Sequence, residues 1–125
     1  MRRVIYLSTL VAIVAVVGAF LWGFNFSGAS NLPPVHIDVI AKDMSFNQNN
    51  PPIVVERGQT VHITIKNEEQ PGVYHDFAIS ALKVKTQLLE PGEAETVRFT
   101  ADRKGMFTYT CPFHPQMMTG KIIVK

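Results

Sequence analysis

Apolar and polar residues alternate with a period of two along most of the chain beyond residue 34. Val35, Ile37 and Val39 alternate with His36 and Asp38, and Val61, Ile63 and Ile65 with His62, Thr64 and Lys66. Val97 and Phe99 alternate with Thr96, Arg98 and Thr100; Phe107, Tyr109 and Cys111 share one parity, and Ile122 and Val124 another. Side chains two residues apart share a face of a strand, so each run predicts a strand with one apolar side. Turn signals separate the runs: Asn49-Asn50-Pro51-Pro52, Arg57-Gly58, Gln70-Pro71-Gly72, Pro91-Gly92 and Lys104-Gly105. There is no helical stripe in this region. Short alternating strands at such spacing predict an all-β sandwich of two sheets. The segment from Ser80 to Leu89 is less regular and leaves strand and loop both open. His75 has the parity of Phe77 and Ile79, so it should point inward. His36 and His62 fall on polar faces and should be solvated, whereas Met44 and Met106 are expected to pack.

The first 29 residues follow a different pattern. Arg2-Arg3 precedes an apolar stretch from Val4 to Phe24, diluted only by Ser8, Thr9, Gly18 and Gly23. About 20 apolar residues suffice for a helix that crosses a bilayer. A cleavable signal peptide has a shorter apolar core, roughly 7–15 residues. Small residues at Ser27-Gly28-Ala29 nevertheless offer a cleavage site. Residues 1–29 are therefore expected to be a membrane anchor, held through residues 4–24, or a signal segment. Positive charge ahead of the span keeps the N-terminus inside. Both versions place residues 30–125 outside the cytoplasm, in a periplasm or on the outer face of the cell membrane. Asn31-Leu32-Pro33-Pro34 is the linker between the two parts.

Length and charge narrow the function classes. A chain of 125 residues has room for one such domain. Its formal charge is +2, yet Arg2 and Arg3 account for it. The folded part is balanced and carries no basic stripe, which argues against nucleic acid as a partner. A single cysteine cannot form an internal disulfide, so an exported domain with one Cys needs another reason for it.

That reason lies in Tyr109-Thr110-Cys111-Pro112-Phe113-His114-Pro115-Gln116-Met117-Met118-Thr119-Gly120. Within seven residues it sets a thiol, an imidazole and a thioether at Cys-x2-His-x2-Met. Soft sulfur donors with imidazole suit copper, since thiolate and thioether favour Cu(I) while imidazole also accepts Cu(II). A further ligand must come from elsewhere, and the inward imidazole of His75 is the candidate, because a buried imidazole needs a polar partner or a metal. Taken singly, each residue has a plainer explanation: a buried Cys or Met is usually packing, and an inward His is usually bonded to a carbonyl. Their coincidence in one loop between prolines favours the metal. The expected arrangement is a near-trigonal plane of His75, Cys111 and His114 with a longer axial bond from a methionine. It leaves no position open for substrate, so no catalytic residues and no enzyme activity are expected.

The same residues resemble those of the cupredoxins, the small blue copper proteins. The ligand loop is most similar to those of amicyanin- and plastocyanin-like members; amicyanin-type loops read Cys-x-x-His-Pro-x-Met before a Gly and an apolar last strand. Here that run is Cys111 to Met117, then Gly120-Lys121-Ile122-Ile123-Val124. The similarity extends over Ile53-Val54-Val55-Glu56-Arg57-Gly58 and Val61 to Asn67. The resemblance implies a Greek-key sandwich, one mononuclear type 1 copper ion, and one-electron carriage between redox proteins by a monomer. It also selects Met117 over Met118 as the axial ligand, with Met118 on an apolar rim beside Pro112, Phe113 and Pro115. Partners would dock transiently near His114, Phe113 and Pro115. Many cupredoxins have Asn after the upstream His and Ser or Thr after the Cys; this chain has Asp76 and Pro112. Phe113 keeps its amide hydrogen and is available to donate to the Cys111 sulfur instead.

Rival readings lack residues. A dinuclear copper centre needs two bridging cysteines, and a copper enzyme needs a second metal site for which only His36 and His62 are spare. A copper carrier or storage module that delivers copper to another protein remains the alternative, although the Cys111 thiolate argues against it.

Overall fold

The computed structural model describes residues 31–125. The expected N-terminal helix, and the boundary between residues 29 and 30, lie outside the described residues. Nine strands follow one another: β1 (Val35–Lys42), β2 (Ser45–Phe46), β3 (Ile53–Val55), β4 (Thr60–Asn67), β5 (Ala78–Ile79), β6 (Val84–Lys85), β7 (Ala94–Thr100), β8 (Gly105–Thr110) and β9 (Thr119–Val124). They form two sheets, ordered β2-β1-β4-β7 and β3-β9-β8-β5-β6. Each sheet is mixed: β1 runs parallel to β4 and β3 parallel to β9, while the other pairs are antiparallel. The fold is an all-β sandwich. Among the described residues the only helical turn is a 3-10 turn at Ser80–Leu82.

The alternating rows become the core. Val61, Ile63 and Ile65 of β4 are fully buried, and Val39 and Ala41 of β1, Val97 of β7, Tyr109 of β8 and Ile122 and Val124 of β9 join them. Each buried Val or Ile among them contributes about 1.5–3 kcal/mol when taken from water. The rows weaken at the edges, where Val35, Ile37, Phe99 and Phe107 are half-buried. Met106 does not pack as expected; it is exposed, because its parity on β8 is opposite to that of Phe107 and Tyr109. The irregular segment after Ser80 resolves into the 3-10 turn, closed by Lys83 in the left-handed region (φ 56°), then β6, then a single bridge between His75 and Leu89.

One close approach fixes the hairpin that carries the ligand loop. Tyr109 lies opposite Gly120 in the β8–β9 register, and its ring covers the glycine so closely that a Cβ there would run into it. The ring packs against Phe46 and Phe77, and its hydroxyl donates to the Pro51 carbonyl at 2.6 Å. Tyr109 thus fastens β8 and β9 to the core just where the chain leaves β8 for residues 111–118.

Candidate metal centre

Two segments build the site. Cys111 to Met118 connect β8 to β9 through tight turns: His114 N–H donates to the Cys111 carbonyl at 3.0 Å, and Met117 and Met118 N–H both donate to the His114 carbonyl. Cys111 N–H closes the loop on the Met118 carbonyl at 2.9 Å. The second segment carries His75, held across from Leu89 by a reciprocal pair of backbone hydrogen bonds of 3.2 and 2.7 Å. His75 points inward, as its parity with Phe77 and Ile79 predicts, and all three are completely buried.

These segments bring His75, Cys111 and His114 together, with one candidate donor atom from each within 4.8 Å of the others. The Cys111 Sγ lies 3.9 Å from His75 Nδ1 and 3.7 Å from His114 Nδ1. An ion with metal–sulfur and metal–nitrogen bonds of about 2.3 and 2.05 Å sets S and N about 3.8 Å apart at a trigonal angle, and about 3.6 Å at a tetrahedral one. The observed spacings match the trigonal value, and the donor set of thiol and imidazoles suits copper.

The two methionines are buried in the opposite sense to that expected. Met117, expected as the axial ligand, is 59% exposed. Met118, expected on the rim, is fully buried in the cluster that holds Cys111. Met118 continues the inward row of β9, sharing the parity of Gly120, Ile122 and Val124, while Met117 falls on the outward one. Met117 instead joins Phe113, His114, Pro115 and Gln116 around a shallow depression of about 270 Å³. Phe113 is 56% exposed there.

Hydrogen bonds around the donors set their protonation. Burial pushes the Cys111 thiol up, so without a metal it is a protonated, inert group. Its S–H donates to Asp76 Oδ1 at 3.2 Å, and the Phe113 amide donates to the same oxygen at 3.1 Å. The Phe113 amide therefore does not serve the sulfur; Asp76 intercepts it and itself joins the two ligand segments. Burial holds His75 below the ordinary imidazole range, despite the opposing pull of Glu69. Its Nε2 lies 3.3 Å from Glu69 Oε1, so this contact is a neutral imidazole N–H donating to a carboxylate rather than an ion pair. Burial also raises Glu69, but the Met44 amide, His75 and the Gln70 amide outweigh it and bring the carboxyl below its usual range. Such a carboxylate behind a histidine fixes its tautomer and leaves Nδ1 free to bind.

Three supporting residues carried no signal in the sequence pattern. Asn67, buried at the end of β4, donates to the Val73 and Leu89 carbonyls on either side of His75 and accepts from Glu69 N–H. Glu69 reaches His75 while accepting from Met44 N–H at 3.0 Å. Asn50 accepts from Phe46 N–H and donates to the Met117 carbonyl at 2.9 Å. Met44 and Asn50 belong to a loop in which Asp43, Met44, Asn47, Gln48 and Asn50 all have positive φ. Asn and Asp tolerate that region best, and the conformation turns this loop against both ligand segments.

The chain matches the family described as the cupredoxin-like domain over residues 12–124. No curated protein matches it in sequence. Among solved structures it is similar to dithionite-reduced auracyanin from the photosynthetic bacterium Roseiflexus castenholzii, with TM-score 0.62 and 22% identity, covering 75% of this chain and 99% of that one. It is also similar to auracyanin A, a blue copper protein from Chloroflexus aurantiacus, with TM-score 0.61 and 23% identity, covering 74% and 99%. A copper nitrite reductase from Nitrosomonas europaea gives TM-score 0.64 and 25% identity over 74% of this chain, but only 41% of its own length. At these identities the two auracyanins establish the fold. His75, Cys111, His114 and the buried Met118 fit one type 1 copper ion.

Proposed function

The chain belongs to the cupredoxin-like domain family, and from that premise we propose that it is a blue copper electron carrier working outside the cytoplasm. The main support is the convergence of His75, Cys111 and His114 at trigonal spacing, with both Nδ1 atoms facing the sulfur. Copper bound there supplies a Cu(II)/Cu(I) couple that accepts and releases one electron. His75 and Cys111, wholly buried, exclude water. Met118 is the axial thioether. Glu69, Asn67 and Asp76 hold the donors in place, so little rearrangement accompanies a change of charge.

His114 is the one member of the set that is not fully buried, so its ring edge is the path in and out. The exposed Pro112, Phe113, Pro115 and Met117 around it make a small apolar patch, suited to the brief docking of a redox partner. Residues 4–24, if retained as an anchor, tether the domain near membrane-bound redox proteins and raise its effective concentration. Cupredoxin domains also occur within larger copper enzymes such as the nitrite reductase above. With His75 and Cys111 fully buried, the donor set leaves no open position for a substrate, which supports a carrier.

Voltammetry of the copper-loaded protein in the presence of a Cu(I) chelator tests this reading. The expected result is a reversible one-electron wave that persists, and a slower exchange with protein partners in Phe113→Glu at unchanged absorption. Loss of copper to the chelator on each reduction would instead identify a copper carrier.

A further inference from the structure

The parallel pairing of β1 with β4 sets His36 directly beside His62 on the outer face of the sheet. Their ring centroids are 4.6 Å apart with planes at 68°. The pair at the candidate centre, His75 and His114, shows nearly the same relation, 5.1 Å and 64°. With metal–nitrogen bonds of about 2.05 Å, two imidazoles in neighbouring positions at a right angle have centroids about 4.5 Å apart, and at a tetrahedral angle about 5.2 Å. The outer pair therefore has the spacing of a cis chelate in a tetragonal field, which Cu(II) and Ni(II) prefer. Neither outer ring has a hydrogen bond within the described residues; the contacts of the two are with each other and, for His62, with the charge of Arg98.

We propose that His36 and His62 form a second, solvent-facing site for a divalent transition-metal ion, distinct from the buried copper centre. His36 is exposed and His62 half-buried, so water can complete the coordination, unlike the closed buried set. Asp38 lies two residues along β1 on the same exposed face and adds a favourable charge. Arg98, opposite His62 on β7, opposes a cation and makes this site the weaker of the two. His62 is five residues along β4 from Asn67, about 16 Å from the end that supports His75. The outer ion would therefore leave the buried centre undisturbed.

Copper-loaded protein titrated with further Cu(II), followed by electron paramagnetic resonance, tests this. The expected result is a second molar equivalent with a tetragonal signal added to that of the buried centre, lost in both His36→Gln and His62→Gln. The blue absorption, unchanged in both variants, reports that they fold. A titration that stops at one equivalent, or a second signal that survives in either variant, overturns the proposal. Cys111→Ser removes only the buried centre's signal, so failure at one site is not mistaken for failure at the other.

Discussion

Replacing Met118 by Leu removes a buried thioether from the core that also holds Cys111 while keeping nearly the same volume, a change that costs cores less than about 1.5 kcal/mol. Met118→Leu is therefore expected to bind copper, with a raised reduction potential and an altered visible spectrum. Met117→Leu, on the exposed rim, should leave both unchanged; voltammetry and absorption of the two variants check the assignment, and the reverse pattern would return the axial role to Met117. Asp76 permits a second measurement. Its Oδ1 lies 3.2 Å from the Cys111 sulfur and 3.1 Å from the Phe113 nitrogen. Asp76→Asn keeps an oxygen for the Phe113 amide and removes a carboxylate beside the centre, so copper should stay bound and the potential should rise. An unchanged or lowered potential would remove the Asp76 charge from the account.

The β8–β9 hairpin carries three of the four proposed ligands, and its rigidity rests on Tyr109 and Gly120. Gly120→Ala would drive a methyl into a fully buried ring that is held at its hydroxyl. A destabilisation of about 1–3 kcal/mol is expected, read as a lower midpoint in denaturant. Burial also pushes the Tyr109 hydroxyl up to about 12, above its ordinary value of about 10. The unfolded chain then releases this proton first, so the native state is favoured below about pH 10 and loses that advantage as pH rises toward 12, by up to about 3 kcal/mol. Tyr109→Phe should flatten that loss, at the expense of about 1 kcal/mol for the Pro51 hydrogen bond. At this scale much was legible beforehand. The rows of β1, β4, β7, β8 and β9 and the inward turn of His75 follow from alternation, because burial on one face imposes it. The loops were not legible in the same way. The Cys-x2-His-x2-Met spacing points to Met117, although Met118 shares the parity of the buried row Gly120, Ile122 and Val124. Asn67, Glu69 and Asn50 act through contacts that exist only once β4, the β1–β2 turn and the loop before β3 are assembled.

The described residues form a sandwich in which His75, Cys111 and His114 gather, with the half-buried His114 at the edge and an apolar rim around it. Its two imidazole pairs differ in setting: His75 and His114 flank the buried Cys111 sulfur, while His36 and His62 lie on the outer face of the other sheet. Only the first pair can give an intense thiolate-to-copper band, since only it has Cys111 within 3.9 Å of both rings. The visible spectrum of the protein after one equivalent of Cu(II) therefore reads the central claim directly. An intense absorption toward the red, absent in Cys111→Ser, is the predicted result. A colourless protein, or a band that survives the loss of Cys111, would contradict it.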